Sequence, residues 1–152
     1  MASKGRFDSA VNVRNKKAYF DFHILDTWQA GIALMGTEIK VIRENKVNLQ
    51  DAYCHIIDGE VYMVNAHIAP YDQGTHYNHT PRRDRKLLLK KKEILKMQKA
   101  LGDKGMTLIP TRLYINDRGL CKVEVGTAKG KKNFDKRDTI KERDVARDME
   151  RE

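Results

Sequence analysis

Apolar and polar residues alternate along the first part of the chain. Every second residue between positions 17 and 24 is apolar, and this period of two predicts a half-buried strand. Asp26-Thr27 interrupts the pattern, and the apolar residues 30–35 predict a second, short strand. A helix follows, with Thr37 as its N-cap and an end near residue 45. Because Lys40 stands at the third helical position, no capping box is expected there.

Two hairpins are predicted from strand-like runs that flank turn residues. The first covers residues 53–68 and turns at Asp58-Gly59, a dipeptide that tight hairpin turns prefer. The second covers residues 107–128 and turns at residues 116–119. Both pairs of strands are antiparallel, because hairpin connections are short.

One long helix is predicted between Thr80-Pro81 and Gly102. Threonine is a good N-cap, and proline suits the first helical position. Apolar residues recur every seven positions within residues 87–101, which gives one buried stripe. Residues 87–89 are three leucines, and a helix cannot bury three consecutive residues on one face. Leu88 or Leu89 is therefore expected to be partly exposed.

The elements together predict a mainly β fold. About six strands with mostly antiparallel neighbours favour a small OB-like β-barrel with flanking helices over a doubly wound sheet. We expect residues 1–14 to form a flexible leader, residues 15–128 the barrel and residues 129–152 a C-terminal tail. The tail is basic and is expected to be disordered when free.

Charge is distributed very unevenly along the 152 residues. The net charge is +9, yet residues 1–81 carry −1 and residues 82–152 carry +10. The strongest concentration lies at residues 82–92, where seven cations accompany one acid. Such a surface points to an anionic partner, with nucleic acid first and an anionic membrane second.

The tail carries signals for a conditional helix. Thr139 and Glu142 have the spacing of a capping box, and Arg143, Arg147 and Arg151 share one helix face. Like charges four residues apart destabilise a lone helix. We therefore expect this segment to become helical only when a polyanion neutralises its arginines.

Nothing in the sequence requires an enzyme or a cofactor. Gly130-Lys131-Lys132 lacks the upstream glycine and the following Ser or Thr of a phosphate-binding loop. A metal-dependent nuclease built on Asp72, His76 and His79 stays open as an alternative, although the spacing is weak for a metal site. A general single-strand-binding module is the other alternative, but only 7% of the residues are aromatic.

The sequence also indicates a compartment. No apolar run approaches the ~20 residues that span a bilayer, and no secretory signal follows the N-terminal methionine. The two cysteines, Cys54 and Cys121, lie in apolar stretches and are expected to be buried free thiols. Reduced cytoplasm is the compartment that these observations predict.

A set of short segments follows in a fixed order along the chain: Asn15-Lys16-Lys17-Ala18, Ala30-Gly31-Ile32-Ala33-Leu34, Gly36-Thr37-Glu38-Ile39-Lys40 with Ile42-Arg43, Asp51-Ala52-Tyr53, Ile68-Ala69-Pro70-Tyr71, Arg85-Lys86-Leu87-Leu88-Leu89, Ala128-Lys129-Gly130-Lys131-Lys132 and Asp135-Lys136-Arg137. With this set the chain resembles the small protein B (SmpB) family of SsrA-binding proteins, which partner transfer-messenger RNA in bacterial ribosome rescue. Each segment alone is weak, but the ordered set over residues 15–143 is specific.

The resemblance implies a cytoplasmic, non-enzymatic RNA-binding protein of trans-translation. It implies binding to the tRNA-like domain of transfer-messenger RNA in place of an anticodon arm. It also implies delivery of that RNA to stalled ribosomes, with the tail probing the empty messenger channel near the decoding centre of the small subunit. A monomer without cofactor, metal, membrane or small-molecule substrate is expected.

The resemblance also assigns residues. The family's RNA-facing leucine falls on Leu88, its RNA-binding lysine on Lys122, and an acidic residue of its RNA site on Gln29, where the charge is lost. The full set expected to bind RNA is Asn15, Lys16, Lys17, Gln29, Lys40, Arg43, Arg83, Arg85, Lys86, Leu88, Lys122 and Lys129. The set expected to act on the ribosome is Gly130, Lys131, Lys132, Asp135, Lys136, Arg137, Ile140, Arg143 and Arg147.

Overall fold

A computed structural model describes residues 11–74, 78–131 and 137 of the chain. Its elements are β1 (Asn12–Arg14), α1 (Lys16–Asp21), β2 (Phe22–Ile32), α2 (Gly36–Arg43), β3 (Val47–Asn48), β4 (Tyr53–Ile57), β5 (Glu60–Val64), β6 (His67–Ile68), β7 (Arg85–Leu88), α3 (Lys91–Leu101), β8 (Met106–Ile115) and β9 (Cys121–Gly130). Within those residues, no helix is long and apolar enough to cross a membrane.

The main sheet closes on itself. Its strands follow the order β1-β8-β4-β5-β7-β2-β9, and β9 also pairs with β8. The pairings from β8 through β4, β5, β7, β2 and β9 therefore return to β8, and every one of them is antiparallel. β1 pairs antiparallel with residues 112–114 of β8, while β3 and β6 form a separate two-stranded sheet. The prediction of a mainly β, antiparallel barrel of about six strands is confirmed.

Side chains alternate between the two faces of each strand, and those on the inner face fill the interior of the closed sheet. The side chains of Met63, Leu108, Leu113 and Val123 are completely buried, as is Met97 from α3. α2 contributes to the same core through its buried aliphatic residues. Burial of each aliphatic side chain contributes roughly 1.5–3 kcal/mol, so the barrel and two of its helices are stabilised as one unit.

The predicted strand over residues 17–24 is wrong for its first half. Asn15 caps α1, because its side-chain oxygen accepts a hydrogen bond from the backbone N–H of Ala18 at 3.2 Å. Ala18 and Phe22, four residues apart, pack in one small cluster. The break expected at Asp26-Thr27 is a bulge, since β2 continues across it with a register shift.

The predicted cap of α2 is also wrong. The helix begins at Gly36, one residue before Thr37. The carboxylate of Glu38 accepts a hydrogen bond from the backbone N–H of Met35 at 2.8 Å, so an acidic side chain in the first turn satisfies the helix start. Thr37 instead contacts the ring of His79.

The predicted helix over residues 81–101 is wrong for its first half. Residues 85–88 form β7, which fills the gap between β5 and β2, and Leu87 pairs with both Val61 and Ile32. The helix begins only at Lys91, where the Glu93 carboxylate accepts a hydrogen bond from the N–H of Lys90 at 3.0 Å.

Both predicted hairpins are confirmed. The first turns at Asp58-Gly59, where both residues have positive φ, although its second strand ends at Val64 and β6 is separate. The second pairs β8 with β9. β9 runs to Gly130, two residues beyond the barrel boundary expected at Ala128.

Candidate functional site

Four residues from four strands form a row on the outside of the barrel. Gly31 pairs with Leu88 on one side and with Lys122 on the other, and Lys122 pairs with Tyr114. Directly paired residues of a sheet point to the same face. Since the neighbouring residue 87 is buried, the row faces outward. We call Leu88, Gly31, Lys122 and Tyr114 the outer row.

Leu88 is the apolar end of the outer row. Its side chain is 53% exposed, whereas Leu87 is 2% exposed. The expectation that one leucine of the run is exposed is therefore confirmed. A Cβ atom at Gly31 would lie 3.3 Å from the Cβ of Leu88, so the missing side chain at Gly31 leaves the space that Leu88 occupies.

A cavity of about 300 Å³ lies beside the outer row. Its lining includes Arg43 from α2, Leu88 from β7, Lys122 from β9 and Leu120 from the turn before β9. Leu120 is half exposed. The cavity thus brings together Arg43, Leu88 and Lys122, three residues predicted from the sequence. It combines apolar side chains with two cations.

Gln29 lies next to the outer row and is held at both ends of its amide. Its Nε2 donates a hydrogen bond to Glu124 at 3.0 Å, and its Oε1 accepts one from the hydroxyl of Tyr114. A carboxylate only accepts hydrogen bonds, so the nitrogen of the amide must face Glu124. The amide keeps one free N–H and one free lone pair for a ligand.

Glu124 places a carboxylate directly opposite Gln29. Burial alone would raise the pKa of Glu124, but hydrogen bonds from Thr111 and Gln29 and the nearby charges of Arg112 and Arg14 outweigh it and lower the pKa. The Thr111 hydroxyl is 2.6 Å from the carboxylate. Sequence reasoning missed Glu124 and Tyr114, since the pairing of β2 with β9 was not predicted.

Arg112 adds a cation to the same surface. Its guanidinium lies 4.2 Å from the centroid of the Tyr114 ring, and its Nε is 3.8 Å from the carboxylate of Glu124. Stacking on an aromatic face fixes the plane of a guanidinium. The outer row therefore continues into an ordered patch of charged and polar groups.

Two predicted RNA-binding cations have an internal partner. Arg85 is completely buried, and its Nε donates to Glu38 at 2.6 Å, while its other nitrogens donate to the backbone oxygens of Ala66, Pro81 and Arg83. The Arg83 guanidinium donates to both oxygens of the same carboxylate. Arg85 cannot reach a ligand at the surface; it ties β7 to α2.

Glu38 stays ionised inside this cluster. Burial alone would raise its pKa, but hydrogen bonds from Arg83, from the backbone of Met35 and from Arg85 outweigh the burial and lower the pKa. The sequence motif around position 38 is thus explained by packing. It fixes the helix that carries Arg43 against the strand that carries Leu88.

The remaining predicted residues lie apart from the outer row. Asn15 is buried, with its Nδ2 donating to the carbonyl oxygens of Leu49 and Pro110 at 3.0 Å each. Lys16 and Lys17 are exposed on α1, and Lys129 pairs with His23 at the far end of β9. The other two predicted lysines have local partners: Lys86 with Glu60 at 2.8 Å and Lys40 above the Tyr71 ring.

Three residues of the predicted tail set fall within the described residues, namely Gly130, Lys131 and Arg137. Gly130 ends β9, and Lys131 is held by the backbone of α1, with its Nζ donating to the oxygen of Tyr19 at 3.0 Å and its N–H to that of Asp21 at 2.8 Å. Arg137 is exposed. The others lie outside the described residues: Lys132, Asp135, Lys136, Ile140, Arg143 and Arg147.

His79 has a structural role in the described part of the chain. Its Nε2 lies 3.0 Å and 2.9 Å from the carbonyl oxygens of Ile68 and Ala69, so this nitrogen carries the proton, and Nδ1 accepts from the hydroxyl of Thr37. Asp72 lies 3.7 Å from Lys46, and His76 lies outside the described residues. Residues 11–74 and 78–131 hold no cluster that could bind a metal.

These observations define a class: a small, closed antiparallel barrel with an outward row of apolar and cationic groups at one end of its longest strands. A model of the SmpB protein family matches residues 12–152 of the chain. The chain belongs to the SmpB protein family.

Known proteins agree with this membership. The SsrA-binding protein of Bacteroides thetaiotaomicron is 54% identical over 142 residues, which cover 93% of this chain and 95% of that protein. The SsrA-binding protein of Desulfitobacterium hafniense (strain DCB-2) is 50% identical over 99% of this chain and 94% of its own length. A chain in the solved structure "tmRNA-SmpB: a journey to the center of the bacterial ribosome" is 45% identical, with a TM-score of 0.69 over 81% of this chain and 86% of that chain.

Proposed function

We propose that this protein binds transfer-messenger RNA, the SsrA RNA, and acts with it on stalled bacterial ribosomes in trans-translation. The observation that carries the proposal is the outer row, in which an exposed leucine and a lysine flank Gly31 next to a cavity with a second cation. Relatives named SsrA-binding proteins and a tmRNA-SmpB structure support the choice of RNA.

The groups in and next to the outer row have separate tasks in this proposal. Lys122 and Arg43 contact phosphates, which supply affinity without reading sequence. Leu88 packs against an unstacked base or a ribose, and the free N–H and lone pair of Gln29 meet a 2′-hydroxyl or a base edge. The protein thus recognises the shape of the tRNA-like domain in place of an anticodon arm.

The tail is the second functional surface of the proposal. We assign residues 1–10 to a leader, residues 11–130, which include β1 and the whole of β9, to the barrel and residues 131–152 to a tail that enters the messenger channel near the decoding centre. The position of Gly130 at the end of β9 supports a change of role at this point. Lys131, Lys132 and Arg137 are among the residues that would contact the ribosome.

In this proposal the protein is a binding partner of RNA and not an enzyme. It works in the cytoplasm as a monomer, without cofactor or metal. The buried position of His79, whose ring nitrogens are both engaged, removes one of the three groups that a metal-dependent nuclease would have needed. Incubation with labelled RNA should give a stable complex without cleavage products.

The decisive experiment separates the two surfaces. Chain termination after Lys131, which keeps the whole of β9 and its contact with α1, should leave RNA affinity nearly unchanged and abolish peptide tagging on stalled ribosomes. Lys122→Ala in the full chain should weaken RNA binding as its primary effect. Loss of RNA binding in the truncated chain would overturn the assignment of two surfaces.

A second candidate function, general binding of single-stranded RNA, is favoured by one observation. Tyr53, His55 and Tyr62 lie together on the outside of β4 and β5, with ring centroids 6.2 Å apart in each neighbouring pair, and aromatic side chains can stack on bases. Competition of unstructured RNA against the tRNA-like domain distinguishes the two. Easy displacement would favour this candidate.

A further inference from the structure

α3 presents a face of lysines to solvent. Lys91, Lys92, Lys96 and Lys99 are all exposed, and we call these four the α3 lysine face. On the opposite side of the helix, Met97 is completely buried in the barrel core. The helix is thus fixed to the barrel by one side and leaves its charged side free.

The lysines are not balanced by acids. Segment 90–104 contains six lysines against Glu93 and Asp103, a net charge of +4. The Glu93 carboxylate is engaged by the backbone of Lys90. None of the six lysines forms an ion pair with another residue that the structure describes. The α3 lysine face therefore carries unneutralised charge.

The positions of the charges oppose helix formation. Lys91 and Lys92 occupy the first turn, where the helix dipole favours anions. Lys92 and Lys96 are four residues apart, and Lys96 and Lys99 are three apart, so both pairs repel across one turn. Helix stability does not explain this arrangement, but the attraction of a polyanionic partner would offset both effects.

An exposed leucine lies within the lysines. Leu95 is 55% exposed and stands four residues from both Lys91 and Lys99, which makes the three side chains neighbours on the helix surface. The same combination of an exposed leucine with nearby cations occurs at Leu88 in the outer row. The two surfaces therefore offer the same chemistry to a partner.

We propose that the α3 lysine face is a second phosphate-binding surface for the RNA that contacts the outer row. This inference rests on the proposed function. Lys91 follows Leu88 by three residues, a distance of at most about 11 Å, and Lys92 and Lys99 lie about 10 Å apart along the helix axis. The start of the α3 lysine face therefore lies close to the outer row.

Removal of charge from this face tests the proposal. In the full chain, Lys92→Gln, Lys96→Gln and Lys99→Gln are combined, since glutamine keeps a high helix propensity. Binding of a labelled tRNA-like domain is measured by fluorescence anisotropy in a series of salt concentrations between about 50 and 300 mM. This series includes roughly physiological ionic strength. Affinity should fall at least about tenfold, and the slope of log K against log[salt] should shrink by about 2 to 3, since each lost phosphate contact removes about 0.7–0.9.

Two control variants test the interpretation. The combination Lys92→Arg, Lys96→Arg and Lys99→Arg keeps the charge and should retain the affinity and the slope. Lys46→Gln removes one exposed lysine that pairs with Glu44 at 3.4 Å and should leave the slope unchanged. Circular dichroism should give the same helix content for all variants.

The outcomes also separate this inference from the proposed function. Lys122→Ala serves as the reference variant in the same titration. If it weakens binding while the triple glutamine variant keeps the original slope, the α3 proposal is overturned and the proposed function stands. If the triple glutamine variant binds the tRNA-like domain normally and loses only ribosome or anionic-vesicle binding, the α3 proposal is also overturned. If the unmodified chain itself fails to bind the RNA, both proposals fail.

Discussion

The carboxylate of Glu38 and the guanidinium of Arg85 form an ion pair at 2.6 Å, and both side chains are fully shielded from solvent. The two residues are 47 positions apart in the chain. Arg83 donates to the same carboxylate from the partly exposed side. This cluster connects α2, which provides Arg43, to β7, which provides Leu88, and so sets the shape of the candidate RNA-binding cavity.

The first prediction concerns the loss of this carboxylate. Glu38→Gln leaves the buried Arg85 without a compensating charge, and breaking one partner of a buried pair costs about 3–5 kcal/mol. Urea unfolding followed by circular dichroism measures the free energy of unfolding. Asp51→Asn is the matched control, because its pair with Lys17 is exposed and 3.8 Å long, and it should cost less than about 1 kcal/mol. Equal costs for the two variants would contradict a dominant role of the buried pair.

The second prediction is the pH dependence that follows from Glu38. Its pKa is lowered in the folded protein from the ordinary 4.5. At acidic pH the unfolded chain therefore binds more protons than the folded chain. The stabilisation is fully present above about pH 4.5 and is lost as the pH falls through the folded-state pKa. Melting temperatures from pH 7 to pH 3 should decline less steeply for Glu38→Gln than for the unmodified chain. Parallel curves would argue against Glu38 as a source of the acid sensitivity.

The third prediction addresses Leu88. Leu88→Asn should weaken binding of the tRNA-like domain by roughly tenfold, equivalent to about 1.4 kcal/mol, because an apolar contact to a base or ribose is lost. Stability should barely change, since the side chain is already 53% exposed. Leu25→Asn is the control, with 60% exposure on β2, and should bind RNA normally. An equal loss for both variants would point to a nonspecific effect.

The fourth prediction concerns Gly31. Gly31→Ala places a Cβ atom 3.3 Å from the Cβ of Leu88, so the leucine must shift and the RNA affinity should fall several-fold. Gly36→Ala is a suitable control, since no atom lies within 4 Å of an added Cβ there. Anisotropy titrations of both variants measure the effect. Normal affinity in Gly31→Ala would show that the position of Leu88 on the strand is not critical.

The fifth prediction concerns the thiols. Burial raises the pKa of Cys54 far above its ordinary value and that of Cys121 to about 12. Since the thiolate is the reactive form, neither cysteine should be alkylated appreciably by iodoacetamide at pH 7.5 in the folded protein. Both should react in urea, as mass spectrometry can verify. Rapid modification of native Cys54 would imply frequent opening of the barrel.

The fold could be predicted where the signals are local. The hairpin at Asp58-Gly59 was found because its turn depends on two adjacent residues. β7 could not be found, because Arg85 and Leu87 look like helix formers until the partners of β7 in β5 and β2 and the distant Glu38 are known. Tertiary contacts override local propensity at such positions.

The candidate site could likewise be predicted only in part from the sequence. Leu88 and Lys122 could be named in advance from the family resemblance, although their positions on either side of Gly31 could not. Glu124 escaped notice because it lies opposite Gln29, 95 positions away, through the pairing of β2 with β9. Arg85 carried the right charge for RNA, yet its burial depends on an acid in another element.

β9 acts as a fixed spacer between the proposed RNA contact and the start of the tail. β2 pairs along one edge of this strand and β8 along the other, so it cannot bend or stretch independently of the barrel. Lys122 and Gly130 are separated by eight residues, or about 26 Å of extended strand. In the proposed function, the barrel therefore fixes the distance between the RNA contact at Lys122 and the start of the tail, and the tail supplies any further reach.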